Sequence, residues 1–413
     1  MKILIHGINY APEFMGTGKY TGELGQWLAA RGHGVRVVTA PPYHPAWQVE
    51  EGYSAREYRH ERITGVEVWR CPVWVPDKPS GPKRLLHLAT FAASSFPVML
   101  QQALWRPDVV VLIEPTLFCA PSAWLTARLC AAKRWLHIQD LELDAATGLG
   151  MLSTVYVRRA MFGIESLLLQ GAQRVSAITE AMRRKVAEKG VPESRTWVLP
   201  NWSDIEFVRP MRRDDEMRQQ FDAGPEDVLV LYAGNMGEKQ GLDLILDAAD
   251  QLRKLRHIKF AMVGTGSTRD SLEKAAARRG LANVRFYPVQ PLERLPHTLA
   301  AGDVHLVVQR REAADLVMPS KLTNILAAGR PSVATADPGT ALHTVLNDYD
   351  CGITTTPGNV QELVASVLVL AEDAKMRERL GRNARRYAES HLDKERILTD
   401  VENKMRELVR LGA

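Results

Sequence analysis

The chain contains little cysteine. Its four cysteines, Cys71, Cys119, Cys130 and Cys351, lie far apart among 413 residues and form no C-x-x-C pair. This spacing argues against a disulfide framework and a cysteine-based zinc site, and it favours a reducing, cytoplasmic setting. The eleven histidines form no H-E-x-x-H or H-x-H pattern. We therefore expect no protein-bound transition metal.

Long hydrophobic runs are missing as well. The first seven residues hold one lysine and a brief apolar run, too short for a signal-peptide core or a membrane span. We expect a chain that is neither secreted nor inserted through its N terminus. Tandem repeats and low-complexity tracts are absent, which excludes solenoids and propellers. No G-x-S-x-G motif occurs, so the usual serine hydrolase elbow is not expected.

The composition is that of a soluble globular protein, with 46% hydrophobic and 24% charged residues. A net charge of +5 suits an anionic partner, such as nucleic acid, nucleotide phosphate or acidic lipid, without choosing among them. No zinc finger, RNP motif or aromatic-basic pattern is present, so we expect no nucleic-acid partner. The length of 413 residues predicts two or three domains.

Short β-branched runs alternate with longer helical patterns, as expected for parallel strands joined by crossover helices. The predicted strands are residues 3–8, 35–39, 66–70, 109–113, 135–138 and 174–178, then 229–233, 259–263, 284–287, 304–308 and 332–335. A turn-rich segment near residue 200 separates the two groups. The sequence therefore predicts two Rossmann-like α/β domains, residues 1–199 and 200–392. A helix at about 393–413 either packs on the second domain or returns to the first.

Glycine-bearing loops follow two of these strands and lead into helices. Gly16 and Gly18 lie in the loop after the first strand, and Gly264 and Gly266 follow the strand at 259–263. Backbone N–H groups at a helix start favour an anion, and glycine lets it approach closely. The first loop has neither a dinucleotide fingerprint nor a P-loop spacing, so a tight turn explains it equally well.

Two further loops have the same position after a strand or at a helix start. The loop at 233–241 places Lys239 beside two glycines. In residues 319–324 we expect Ser320 to cap a helix and Lys321 to lie in its first turn. A lysine there opposes the helix dipole, so it makes more sense beside a bound anion. Four such loops in two matched domains predict a nucleotide-diphosphate cleft.

Polar residues end the predicted strand at 135–138. Residues 137–142 place Asp140 at the edge of the sheet where ligands bind, and a carboxylate there would orient or deprotonate an acceptor hydroxyl. The alternative is that Asp140 only caps a loop. Residues 348–350 have the D-x-D form of many metal-dependent sugar transferases, but their place in a late loop favours a solvated turn.

The segment at 78–105 begins with basic residues and continues as a mostly apolar run interrupted by Pro97. An exposed apolar helix next to basic residues would suit peripheral contact with a membrane surface. A buried crossover helix explains the segment equally well.

The motifs now carry a family resemblance. HGINYAPE (6–13), GTGKYT (16–21) and GHGV (32–35) resemble the N-terminal domain of the family 4 retaining glycosyltransferases, which have the two-domain GT-B fold. GNMGEKQGL (234–242) and ADLVMPSKLTNIL (314–326) are similar to the colanic-acid biosynthesis glycosyltransferases of the WcaI type. The resemblance extends to about Ala336, and the last two motifs are fairly specific.

The resemblance implies a nucleotide-sugar donor, held mainly by the C-terminal domain, and no metal or other cofactor. Lys321 would contact the donor phosphates, and Ser320 would help to cap them. The implied donor-binding residues are Gly16, Gly18, Gly234, Asn235, Gly264, Gly266, Ser320, Lys321, Leu322 and Asn324. We expect Lys321, Asp140 and Lys239 to be the catalytic residues.

Three positions depart from the family pattern. The family usually has Glu where Asn324 stands, Arg where Asn235 stands and Lys where Gln240 stands. Asn324 can still hydrogen-bond a ribose hydroxyl, without charge assistance. Phosphate neutralisation would then depend on Lys321 and Lys239.

The resemblance implies transfer of a sugar with retention at the anomeric carbon. The donor would be a GDP-sugar, such as GDP-fucose or GDP-mannose. The acceptor would be a lipid-diphosphate-linked saccharide in exopolysaccharide assembly at the inner face of the cytoplasmic membrane. Two alternatives stay open: a nucleotide-sugar epimerase or hydrolase of the same fold, and a non-catalytic nucleotide-sugar-binding protein.

Overall fold

The structure is a computed structural model that describes residues 1–77, 81–141, 155–311 and 319–410. It divides into two compact units. The first consists of Met1–Pro200 and Arg396–Ala413, and the second of Asn201–Glu395. From the sequence we placed the domain boundary between residues 199 and 200 and the start of the C-terminal helix at about residue 393.

The first unit is built on one mostly parallel sheet. Its strands are β1 (Lys2–His6), β2 (Gly34–Thr39), β3 (Arg59–Ile63), β4 (Val66–Arg70), β5 (Val109–Glu114), β6 (Lys133–Ile138), β7 (Arg174–Ala177) and β8 (Thr196–Val198). They are ordered β3-β4-β2-β1-β5-β6-β7-β8, and β3 pairs with β4 as an antiparallel hairpin. All six residues of β5 are buried, because this apolar strand lies in the middle of the sheet.

Helices connect the parallel strands of this unit. They are α1 (Gly16–Ala30), α2 (Gly81–Gln102), α3 (Ala120–Leu129), α4 (Val155–Gln170) and α5 (Glu180–Glu188), with short 3-10 turns at Ala103–Trp105, Leu117–Cys119 and Glu193–Arg195. The apolar face of α1, including Leu24 and Leu28, is buried. The helix begins at Gly16, so the glycine loop of the sequence analysis forms its first turn.

The second unit repeats this arrangement. Its strands are β9 (Val228–Ala233), β10 (Ile258–Val263), β11 (Val284–Tyr287), β12 (Val304–Val307), β13 (Ser332–Thr335) and β14 (Gly352–Thr355). They form a parallel sheet ordered β11-β10-β9-β12-β13-β14. Its helices are α6 (Asp215–Gln220), α7 (Asp243–Gln251), α8 (Arg269–Arg278), α9 (Leu295–Ala301), α10 (Ser320–Ala327), α11 (Ala341–Asp348), α12 (Val360–Glu372) and α13 (Ala374–His391), with 3-10 turns at Glu238–Gln240 and Leu292–Arg294. The prediction of two parallel-sheet α/β domains is confirmed.

The last helix, α14 (Lys394–Arg410), belongs to the first unit from Arg396 onward. Its Glu402 lies against the residues that follow α1. Oε2 of Glu402 accepts a hydrogen bond from Nε of Arg31 at 3.3 Å. The last helix is thus fixed to the first unit by a buried carboxylate.

Three strands were not predicted from the sequence: β3, β8 and β14. β3 reads RHERI and lies at the edge of its sheet, where charged side chains remain in solvent. β8 has only three residues, all partly buried. Neither segment has the continuous apolar run that identified the central strands.

Within the segment at 78–105, residues 81–105 form α2 and the 3-10 turn after it. One face of α2, including Leu88, Phe91 and Met99, is buried in the core of the first unit. The opposite face leaves Leu86 53% exposed and Phe96 39% exposed. The segment is therefore a packed connecting helix that also presents apolar side chains to solvent. Its first residues, 78–80, lie outside the described residues.

No helix in the described part of the chain is both long enough and apolar enough to cross a membrane.

Candidate active site

In the second unit, the loops that follow β9 and β10 touch each other. A Cβ atom on Gly264 would lie 1.9 Å from the carbonyl oxygen of Gly234, and one on Gly266 would lie 2.3 Å from the carbonyl oxygen of Met236. Both Gly264 and Gly266 have φ values near +150°. Only glycine meets these two requirements, since any side chain would collide with backbone.

Hydrogen bonds hold these two loops in one arrangement. The N–H of Met236 donates to the carbonyl of Thr265 at 2.8 Å. The hydroxyl of Thr268, just before α8, donates to the carbonyl of Met236 at 2.8 Å. Arg269 donates from Nη1 to the carbonyl of Tyr287 at 3.0 Å. The carboxyl ends of β9, β10 and β11 therefore form a fixed edge, where parallel α/β sheets bind ligands.

Lys321 extends from the first turn of α10 to this edge. A Cβ atom on Gly234 would lie 3.0 Å from its Nζ, so the ammonium group lies directly beside that glycine. Nζ is buried and has no hydrogen-bond partner among the described residues. Burial lowers the pKa of Lys321 to about 7. An unpaired buried ammonium is costly, and an anion bound here would offset that cost.

The start of α10 corrects one prediction. Pro319, not Ser320, is the N-cap residue, and Ser320 is the exposed first residue of the helix. No side chain caps this helix, because proline has no side-chain acceptor. The helix N terminus therefore presents backbone N–H groups next to the exposed hydroxyl of Ser320.

Two further residues of this motif have internal partners. The side chain of Leu322 is fully buried in the core, and its N–H donates to the carbonyl of Pro319 at 2.9 Å. Oδ1 of Asn324 accepts a hydrogen bond from the hydroxyl of Ser203 at 2.8 Å. Leu322 thus supports the helix from inside, and Asn324 is oriented by a residue of its own unit. Residues 314–318 of the motif lie outside the described residues.

Within the loop after β9, one polar side chain stabilises the loop, and two others are exposed. Oε1 of Gln240 accepts the N–H of Gly237 at 3.1 Å. The side chain of Asn235 is exposed and lies next to Gly237. Lys239 is exposed, and its carbonyl accepts the N–H of Arg310 at 2.9 Å. Gln240 therefore has a structural role, whereas the side chains of Lys239 and Asn235 face solvent.

In the first unit, the glycine loop is built around Glu13, which the sequence analysis did not single out. Glu13 is buried, and its Oε1 accepts the N–H groups of Tyr43 and His44, each at 3.0 Å. Burial raises its pKa to about 7, although these hydrogen bonds and one from Asn9 act in the opposite direction. A Cβ atom on Gly18 would lie 2.5 Å from Oε2 of Glu13. The glycine is therefore required for the carboxylate to fit.

Gly16 opens α1 with φ of +56°, a value that favours glycine. A Cβ atom there would lie 3.6 Å from Cε1 of His44. The N-cap residue Met15 provides no side-chain cap, so N–H groups of the first turn are left for another acceptor. Gly16 and Gly18 therefore shape a helix start that could approach an anion.

Asp140 follows β6 at the carboxyl edge of the first sheet. Its side chain is 19% exposed, and Oδ2 lies 3.9 Å from Nη2 of Arg84. Oδ1 is buried and has no hydrogen-bond partner among the described residues. Nearby, His137 is buried with Nδ1 2.9 Å from the hydroxyl of Ser176, and burial lowers the pKa of this histidine to about 4. Asp140 therefore has an acceptor oxygen available. Glu142 lies outside the described residues.

The D-x-D segment has a structural role. Oδ2 of Asp350 accepts a hydrogen bond from Asn383 at 3.0 Å and pairs with Arg379. Asp348 ends α11 and is exposed. Among the described residues, no group of three or more His, Cys, Asp or Glu side chains is arranged to hold a metal ion.

Both units match known protein families. A model described as the glycosyl transferase 4-like domain matches residues 15–202, and one described as glycosyl transferases group 1 matches residues 213–387. The WcaI protein of Escherichia coli K12, described as a colanic acid biosynthesis glycosyl transferase, is 45% identical over 420 residues. That match covers 98% of this chain and 100% of the relative. The chain belongs to the family 4-like glycosyltransferases.

Solved structures support the fold of this glycosyltransferase. The sucrose-phosphate synthase of Thermosynechococcus elongatus superposes with a TM-score of 0.79 at 16% identity, covering 100% of both chains. The Anabaena protein HepE, solved with UDP and glucose, superposes with a TM-score of 0.71 at 17% identity, covering 98% of this chain and 100% of HepE. The prediction of the GT-B fold from motif resemblance is confirmed.

Two residues of this glycosyltransferase's sites escaped the sequence analysis. Glu13 lies within a motif that was quoted for its glycines, and its contact with Gly18 depends on how the loop folds. Tyr232, in the apolar run of β9, places its ring centroid 3.6 Å from Nζ of Lys321. Nothing in the strand pattern distinguishes this tyrosine from a core residue.

Proposed function

We propose that this glycosyltransferase transfers a sugar from a GDP-sugar, such as GDP-fucose or GDP-mannose, to a lipid-diphosphate-linked saccharide. The pathway would be assembly of an exopolysaccharide like colanic acid. The 45% identity to WcaI over nearly the whole chain supports this choice of pathway. Transfer would proceed with retention at the anomeric carbon and without a metal ion.

The observation that carries the proposal is the buried, unpaired ammonium of Lys321 at the glycine-lined edge of the second sheet. Negative charge grows on the leaving diphosphate as the bond to the sugar breaks. A fixed ammonium and backbone N–H groups aimed at that charge stabilise the transition state electrostatically. These groups would supply the stabilisation that a divalent ion supplies in other enzymes.

The first unit would bind the acceptor. Asp140 has one oxygen without a partner among the described residues, at the edge where its parallel sheet binds ligands. This carboxylate would orient the acceptor hydroxyl or accept its proton. The residues that stabilise the leaving diphosphate and the residue that acts on the acceptor hydroxyl would thus belong to different units of the chain.

The lipid-linked acceptor calls for contact with a membrane surface. The apolar side chains of Leu86 and Phe96 are exposed on α2, and Lys83 in its first turn is exposed as well. Apolar area and positive charge act together at an anionic bilayer.

We expect the protein to sediment with phosphatidylglycerol vesicles at low salt. The double variant Leu86→Ser and Phe96→Ser should sediment less, whereas the control Val369→Ser, exposed in the second unit, should behave as wild type. Failure of the wild type to sediment would contradict membrane docking.

Thermal shift assays test the donor. GDP, UDP, ADP and NAD are each added with and without EDTA. Ligand at about 100 times its dissociation constant stabilises a protein by about 2.7 kcal/mol, which raises the melting temperature by several degrees. We expect GDP to stabilise the protein equally with EDTA. A response to NAD alone, or to none of the four, would refute a nucleotide-sugar site.

Product analysis separates transfer from its alternatives. With donor and a lipid-linked acceptor, the product sugar should keep the donor's anomeric configuration by NMR. Nucleotide should be released rapidly only when acceptor is present. Full-rate release from the donor alone would indicate a hydrolase or epimerase, and binding without turnover would indicate a non-catalytic protein.

A further inference from the structure

The ammonium of Lys321 lies against an aromatic ring instead of an acid. Its Nζ is 3.6 Å from the centroid of the Tyr232 ring. Tyr232 is the penultimate residue of β9 and is fully buried. The negative face of an aromatic ring attracts a cation, and the attraction is strongest where water is excluded.

The ring of Tyr232 is held in place from its other end. Its hydroxyl donates a hydrogen bond to the carbonyl of Asn235 at 2.5 Å. Burial raises the pKa of this hydroxyl, so it stays protonated across the ordinary pH range. Gly234 leaves the space that the lysine needs, since a Cβ atom there would lie 2.9 Å from Cε of Lys321.

Other cations around this edge are differently placed. Arg310 donates from Nε to the carbonyl of Glu238 at 2.8 Å, and Arg269 donates from Nε to Glu273 at 2.8 Å. Lys239 is exposed. Within the described residues, Lys321 is therefore the cation at this edge whose nitrogen is buried without a hydrogen-bond partner.

We propose that Tyr232 is a positioning residue for the donor diphosphate: its ring holds the Lys321 ammonium beside Gly234 while leaving the ammonium's hydrogen-bond donors for the phosphates. This inference rests on the proposed function and deepens it. A carboxylate partner would hold the lysine equally well, but it would cancel the charge and repel the anion. An aromatic face stabilises the cation and leaves its full charge.

The protonation of Lys321 gives the inference a second readout. Burial lowers the pKa of this lysine to about 7, and no charged side chain of the described residues accounts for the shift. Because the ring favours the charged form, a weaker ring lowers the pKa further. As the pH is raised, the nucleotide affinity of such a variant should therefore begin to fall at a lower pH than that of the wild type.

The experiment measures GDP binding by calorimetry in the full-length chain. Tyr232→Phe keeps the ring and should bind within about threefold of wild type, since it loses one hydrogen bond. Tyr232→Leu removes the ring and should weaken binding by about 5-fold to 30-fold. In the Lys321→Met background, Tyr232→Leu should weaken binding no further, because the ring acts through the lysine.

Two controls separate the effect of this ring from a general loss of stability. Phe260→Leu removes another buried ring, from the middle of β10, and should lower the melting temperature without weakening GDP binding. If Tyr232→Leu does not fold, a series of increasingly fluorinated phenylalanines at position 232 keeps the shape and weakens only the face of the ring. Affinity should then decline with each added fluorine.

The outcomes distinguish the two claims. If Tyr232→Leu weakens GDP binding equally with and without Lys321, or if GDP affinity stays constant along the fluorine series, the positioning role is overturned. Binding of GDP by the wild type would leave the proposed function intact. A wild type that binds neither GDP nor UDP would overturn the proposed function itself.

Discussion

Oε1 of Glu402 lies 2.9 Å from Nε2 of His33, and this pair joins the last helix to the turn that precedes β2. The same oxygen accepts a hydrogen bond from Nε of Arg406 at 3.1 Å. The Glu402 side chain is only 5% exposed. Burial raises the pKa of Glu402, but the hydrogen bonds from Arg406 and His33 and the charge of Arg31 outweigh it and bring the pKa to about 2.

We predict that Glu402→Gln destabilises the protein by about 3 kcal/mol at pH 7, since it breaks a buried charged cluster. A carboxylate with a depressed pKa contributes its stability above the pKa of the unfolded chain, about 4.3 for glutamate. That contribution is lost as the pH falls towards 2. Urea unfolding at a series of pH values should show that the difference in free energy of unfolding between wild type and variant becomes smaller below about pH 4.3.

The control for this variant is Glu378→Gln. Glu378 is 72% exposed and lies 3.7 Å from Arg382. A surface pair of this kind contributes about 0 to 1 kcal/mol. Equal losses in the two variants would contradict a stabilising role of the Glu402 cluster.

Gly264→Ala should separate the two loops of the second unit. The new methyl group would lie 1.9 Å from the carbonyl oxygen of Gly234, and the residue has φ of +153°. Gly280→Ala is the matched control, because it has φ of +64° but no described atom within 4 Å of the new methyl. We expect the control to cost about 1 kcal/mol and to keep GDP binding. Gly264→Ala should lose GDP binding, measured by calorimetry, and retention of wild-type affinity would disprove the close approach.

Lys321→Ala should abolish most turnover while leaving the fold intact. Removing one group that stabilises developing negative charge typically lowers kcat by about 100-fold to 1,000-fold. Lys274→Ala, an exposed lysine of α8, should keep the wild-type rate. Steady-state assays with circular dichroism as the folding check make the comparison. A Lys321→Ala enzyme with more than about a third of the wild-type rate would not fit the expected loss.

Lys321→Met should stabilise the protein without ligand. In the folded chain the pKa of Lys321 is about 7, below its ordinary value of 10.5, so folding costs free energy wherever the unfolded lysine is charged. This penalty is full below pH 7 and disappears as the pH rises to about 10.5. The melting temperature of the variant should exceed that of wild type more at pH 6.5 than at pH 9.5. An unchanged or reversed difference would contradict the buried charge.

Asp140→Asn should separate acceptor chemistry from donor binding. We expect kcat to fall by about 100-fold or more with unchanged GDP affinity, since the amide cannot accept the hydroxyl proton. Asp348→Asn, at the exposed end of α11, should keep both values and so test the D-x-D alternative. Loss of GDP affinity in Asp140→Asn would place Asp140 on the donor side instead.

The fold could be predicted from the sequence wherever strands lie in the middle of a sheet. β9 and the first five residues of β5 are apolar because both faces of these strands are covered, and such runs are visible in a linear pattern. β3 was missed, because an edge strand keeps charged residues and pairs only through a hairpin. The cap of α10 was placed one residue too late, at Ser320 instead of Pro319, because the N-cap position depends on backbone geometry.

Some features of the candidate site could also be predicted from the sequence, and others could not. Residue order alone predicted that glycines follow β9 and β10 and that Lys321 lies in the first turn of a helix. The contact of Gly264 with Gly234 and the position of Tyr232 under the Lys321 ammonium follow from the folded chain and could not be predicted from residue order. These contacts join segments about 30 and about 90 residues apart, and they arise from strand order and packing, which local propensity does not encode. The burial that perturbs the pKa of Lys321 is likewise a property of the folded chain alone.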